Sequence, residues 1–68
     1  MKIIVREEDK WVYSEGSSGC TWGLLKRIVE EFDKLVDDNT PIAYIDLPQG
    51  FENNISARIN SDGLVVIT

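Results

Sequence analysis

Sixty-eight residues hold one domain (1-68) at most, and a chain of this size buries only about 60% of the surface its unfolded form exposes, so its stability margin is thin. Charged residues at 28% and hydrophobic residues at 43% exclude both a disordered tail and a membrane-spanning protein. Seven basic against twelve acidic side chains leave a net charge of −5, the wrong sign for direct nucleic-acid binding. Neutral or basic protein surfaces are the expected partners.

Histidine is absent, which removes the commonest general base and the commonest transition-metal ligand. Cys20 is the one cysteine, so neither an intrachain disulfide nor a multi-cysteine zinc site can form. The expectation is a non-enzymatic protein with no cofactor and no metal site, stabilised by packing alone. Met1-Lys2-Ile3-Ile4-Val5-Arg6 offers three apolar residues before a charge, far short of a signal peptide, and no later run approaches a membrane span. Cytoplasmic residence, without membrane contact, is expected.

In chain order, β-branched Ile3, Ile4 and Val5 precede the polar interval Glu7-Glu8-Asp9-Lys10, and Trp11, Val12 and Tyr13 follow it, which predicts an antiparallel hairpin. Pleat parity places Ile3 and Val5 with Trp11 and Tyr13 on one face and Ile4 with Val12 on the other. Ser14 through Thr21 is a Gly- and Ser-rich connection, with Ser18 or Thr21 as helix N-cap.

Leu24, Leu25, Ile28, Val29, Phe32, Leu35 and Val36 then fall on one helical arc, with Trp22 at its edge as a cover for the core. Lys26, Arg27, Glu30, Glu31, Asp33, Lys34, Asp37 and Asp38 fill the opposite arc. Asn39 and Pro41 place the helix end near Asp37 or Asp38. A third strand is expected from Ile42 to Leu47, ending at the turn Pro48-Gln49-Gly50. Ile55, Ala57 and Ile59 alternate with polar residues in a fourth, and Asn60-Ser61-Asp62-Gly63 forms a hairpin turn into Leu64-Val65-Val66-Ile67-Thr68.

The order β-β-α-β-β-β predicts an α+β two-layer sandwich, with one amphipathic helix on one face of a mainly antiparallel sheet closed by the last hairpin. The alternative is a β-grasp-like mixed sheet with the last strand beside the first, because a hairpin, a helix and further strands in this order are similar to ubiquitin-like domains. The chain ends Val66-Ile67-Thr68 without the terminal diglycine of conjugating members, so that similarity carries no function here. Either way a second sheet face is left bare, and Ile4, Val12, Ile42, Tyr44 and one of Val65 or Val66 are assigned to it. Homodimer formation through this face is one expectation; the other is a monomer whose Lys2, Arg6, Lys10, Ser56 and Arg58 dilute the apolar groups.

Three further patterns bear on function. Acidic side chains gather at Glu7, Glu8 and Asp9 and along the helix at Glu30, Asp33, Asp37 and Asp38; Asp37 and Asp38 lie late, where the dipole disfavours them, and Asp33 and Asp37 are like charges one turn apart. Such a carboxylate row can dock on a basic macromolecule, including the basic groove of a nucleic-acid-handling enzyme, with Tyr44 as an apolar anchor; its plain alternative is a solvated helix face interrupted by Lys26, Arg27 and Lys34. Ser17, Ser18, Gly19 and Thr21 ahead of the helix could receive an anion, but they lack phosphate-loop spacing and Glu15 opposes it. Trp11, Tyr13 and Tyr44 could stack bases, which the net charge opposes.

The leading expectation is a small acidic regulator or inhibitor of the phage-encoded kind that docks its carboxylate-rich helix face on a basic partner. A small-molecule or nucleotide binder using residues 16–21, and a homo-oligomeric structural protein, are the alternatives.

Overall fold

The computed structural model of the chain describes residues 2–16, 19–47 and 54–68. Strands β1 (Lys2–Arg6) and β2 (Trp11–Glu15) form the first hairpin, helix α1 (Trp22–Asp33) follows, and β3 (Ile42–Ile45), β4 (Ser56–Ile59) and β5 (Val65–Ile67) complete the sheet. The expected turn at Pro48, Gln49 and Gly50 lies outside the described residues.

The five strands pair in the order β1-β2-β4-β5-β3. All neighbours are antiparallel except β3 and β5, which run parallel. The architecture is therefore α+β, one helix on a mixed, mainly antiparallel open sheet. The last strand lies beside the third and not beside the first, so the parallel pair arises elsewhere than in a β-grasp sheet. Strands β2 and β3 point the same way and are joined through α1; the β4–β5 hairpin fills the gap between them.

Two turns form as their residues dictate. Asn60 accepts at its side-chain oxygen from the Asp62 and Leu64 amides (2.9 and 3.0 Å), while Gly63 takes φ 80. The first hairpin closes through the Lys10 amide on the Glu7 carbonyl (3.2 Å), with Lys10 itself at φ 49.

That first turn sets a register the sequence reading missed. Ile3 pairs with Ser14 and Val5 with Val12, so Val12 and Ser14 share the helix side with Ile3 and Val5, whereas Trp11 and Tyr13 stand on the open face. The four turn residues pair Arg6 with Trp11, and an odd offset exchanges the faces expected for the second strand. Val12, Leu24, Ile28, Phe32, Ile55, Ala57, Val65 and Ile67 make the core, with Ile59, Leu35 and Cys20 packed against it.

Buried Ser14 is tied in by accepting from the Ile55 amide at Oγ (3.1 Å), while its own amide donates to the Ile55 carbonyl (3.0 Å). This clasp continues the β2–β4 seam past the last strand residue. With its hydroxyl engaged, Ser14 sits in the core without an orphaned polar atom.

The helix starts as expected: Thr21 Oγ1 accepts from the Leu24 amide at 3.1 Å. It stops at Asp33, a full turn before the expected end. Three-residue hydrogen bonds tighten the exit (Lys34 amide to Glu31 carbonyl, 3.3 Å; Leu35 amide to Phe32 carbonyl, 2.9 Å), and Asp37 then bonds the Asn39 amide with its carboxylate (2.8 Å). An aspartate that captures a nearby amide competes with helix continuation, and the last turn has no basic residue to favour it. Trp22 is a second correction: it is 72% exposed and covers no core.

Candidate functional site

The helix does not lie centrally on its face of the sheet. It rests over β1, β2 and β4, with Val65 and Ile67 of β5 buried at its margin, and leaves β3 exposed. A groove of about 160 Å³ results, with walls and floor formed by Val29, Phe32, Val36, Ile42, Val65 and Ile67. Asp33, Asp37 and Thr40 form its polar rim.

Beyond the groove lining, further apolar side chains are exposed on both α1 and β3. Trp22 and Val29 are seven residues apart, which aligns them along one flank of α1, and Val36 follows past the helix end on the groove wall. Opposite that flank runs β3, whose Ile42 and Ile45 are 60% and 54% exposed. Leu47, also exposed, continues the strand direction. Ile42 was expected on the open face with Tyr44, but the β3–β5 register shifts between these two residues and turns them to opposite faces. Tyr44 thus keeps its expected side, opposite Val66, and Ile42 joins the groove.

The expected acidic set separates into distinct places. Asp33 and Asp37 meet at the groove rim, and exposed Asp38 follows directly in the chain. Glu30 lies on the other flank of the helix, in a cleft with Glu31, Arg27, Ile3 and Val5 over β1. Lys34 is drawn to that flank too, bonding Glu31 at 3.4 Å, and among the described residues no ion pair engages Asp33 or Asp37. Glu7, Glu8 and Asp9 line a separate crevice with Val5 and Arg6. Their turn shares the helix C-terminal end of the molecule, as does the 60–63 turn with Asp62, because β1 and β4 run toward that end and β3 and β5 start from it. Four strand spacings, about 19 Å, separate β1 from β3 across the sheet. Glu7, Glu8 and Asp9 are therefore on the same pole as Asp37 but not in the same site.

The anion-binding expectation fares differently. Ser17 and Ser18 lie outside the described residues. Thr21 spends its hydroxyl oxygen on the Leu24 amide, and Gly19 is buried. Cys20 is a half-buried free thiol packed against the core.

On the open face, register aligns Arg6, Trp11, Arg58, Val66 and Tyr44 in one row across all five strands. Trp11 and Tyr13 rings lie 4.4 Å apart at 34°. Hydrogen bonding to Tyr13 raises the Arg6 pKa above its ordinary value, with the nearby Tyr13, Asp9 and Glu15 charges acting in the same direction. A raised pKa on a base favours the folded state below its unfolded pKa and loses that contribution only as pH climbs through the folded one, so Arg6 introduces no pH dependence near neutrality. Val66 is 1% exposed despite facing this side, so the face has less free apolar surface than its residue types imply. With Lys2, Arg6 and Arg58 here, the basic residues of the sheet are set apart from the acidic groove behind it.

The residues that sequence reasoning missed are Val29, Ile42, Ile45 and Leu47. The seven-residue spacing of Trp22 and Val29 was a readable signal for one wall; the other wall needed the strand order. Among the described residues, no group of three or more acidic, histidine or cysteine side chains is arranged to hold a metal ion, and no helix is long and apolar enough to cross a membrane. No family model matches the chain, and neither the curated proteins nor the solved structures contain a significant match to it.

Proposed function

We propose that the chain is a non-enzymatic protein-binding regulator or inhibitor that receives a basic partner in the groove between α1 and β3. The observation that supports this reading is the pairing of an exposed apolar trough with an acidic rim: Val29, Val36 and Ile42 supply desolvation energy, and Asp33 and Asp37 supply sign selectivity. Burying several such side chains is worth a few kcal/mol at about 25 cal/mol per Å², before ordering costs. The carboxylates add attraction for Lys or Arg and repel acidic competitors, which favours specificity and fast association.

Comparative capture tests the reading. The wild-type chain, the Asp33→Lys/Asp37→Lys variant and an Asp62→Lys control, immobilised separately, are exposed to the same cell lysate. A basic protein retained by the wild type and the control, and lost by the double variant, is the expected result. Identical retention by all three overturns the acidic-rim reading.

A further inference from the structure

We infer that the partner enters as an extended, basic segment that adds a sixth strand to the free edge of β3, with alternate side chains dropping into the trough. This deepens the reading above and rests on it. Strand β3 is an edge strand, and all of its residues are exposed. On its inner side the Pro41 carbonyl accepts from the Val65 amide and the Asp46 amide donates to the Ile67 carbonyl, both at 2.8 Å. Strand alternation therefore turns the main chains of Ile42 and Ile45, the residues next to these anchors, away from β5 and into solvent.

Edge strands are normally blunted by shortness, by charge, by proline, by a bulge or by a covering element. Among the described residues, Ile42–Ile45 carries no charge and no proline and is not covered by α1; its four-residue length and the register shift between Ile42 and Tyr44 confine the pairing it offers to the outward main chains of Ile42 and Ile45. An added strand would satisfy the outward amides and carbonyls. Its alternate side chains would fall between Ile42 on one side and Val29 and Val36 on the other, and the intervening ones would lie beside Tyr44.

Charge decides the occupant. The surroundings of the edge hold Asp33, Asp37, Asp38 and Asp46, and no residue from Pro41 to Leu47 is basic. A second copy in antiparallel pairing would set two edges of the same charge sign against each other, with no basic residue from Pro41 to Leu47 on either to offset Asp46. A heterologous segment with Lys or Arg near Asp33 and Asp37 and apolar residues at alternate positions meets the same surface with complementary charge.

The test uses a displayed library of short random peptides selected on the wild-type chain, followed by affinity measurements on an enriched synthetic peptide. Enrichment of basic peptides with alternating apolar residues is expected. Backbone N-methylation of the peptide at alternate amides should weaken binding by at least about tenfold in one of the two registers, as loss of strand hydrogen bonds requires. Ile45→Pro should weaken it similarly at unchanged thermal midpoint, because proline is tolerated where an edge N–H faces solvent. Basic peptides that bind regardless of N-methylation and of Ile45→Pro overturn strand addition and leave the acid-rimmed groove standing. Failure to enrich any peptide, or enrichment of acidic ones, overturns both. A concentration-independent dimer with a protected Ile45 amide overturns the heterologous occupant in favour of a second copy.

Discussion

The two edges of this sheet are treated in opposite ways. Strand β1 carries Lys2 and Arg6, lies under the helix, and has Arg27, Glu30 and Glu31 leaning over its Ile3 and Val5. Strand β3 has no charged residue, lies outside the helix, and leaves Ile42, Tyr44 and Ile45 more than half exposed (60%, 51% and 54%). One edge is charged and partly roofed by the helix, and the other is apolar and exposed. The difference teaches that exposure is not uniform across the sheet's edges, because the strand at the other edge is partly roofed and holds Ile3 and Ile4 half-buried.

Substitutions can break or sharpen this contrast. The largest effect is expected from Ile28→Ala, at a side chain 0% exposed beneath the covered half, with a loss of about 2–5 kcal/mol in urea unfolding. Ile45→Ala, the same residue type on the bare edge, should cost less than about 1 kcal/mol. Equal losses would erase the distinction between the halves. Ser14→Ala removes the hydroxyl that receives the buried Ile55 amide, and a loss of about 1–3 kcal/mol is expected by the same measurement. Thr21→Ala removes the helix cap at a cost of about 1 kcal/mol, read from the thermal midpoint.

The smallest effect has the opposite sign. Asp33→Lys places a cation in the last helical turn and should stabilise by about 0.3–1 kcal/mol while weakening capture of a basic partner. Stabilisation with undiminished capture would place the binding determinant elsewhere than this pole.

Much of the architecture was legible because it depends on local pattern. Leu24, Ile28 and Phe32 declare the buried side of the helix, Ile55 and Ala57 declare the wet-and-dry alternation of β4, and Asn60 and Gly63 declare the last hairpin. What was illegible depends on offsets of single residues. A four-residue turn exchanges the faces of Trp11 and Val12, and one register shift separates Ile42 from Tyr44. The candidate site was half legible for the same reason. Asp33 and Asp37 were singled out as like charges one helical turn apart, but the apolar wall they rim exists only once β3 is known to lie at the edge and the helix to lie away from it.

Amide chemical-shift mapping with a selected basic peptide tests the central claim most directly. The account expects perturbations confined to Val29, Asp33, Val36, Ile42 and Ile45, with slowed hydrogen exchange at the Ile45 amide on saturation. Perturbations centred on Trp11, Tyr13 and Arg58, with Ile45 exchange unchanged, would contradict it.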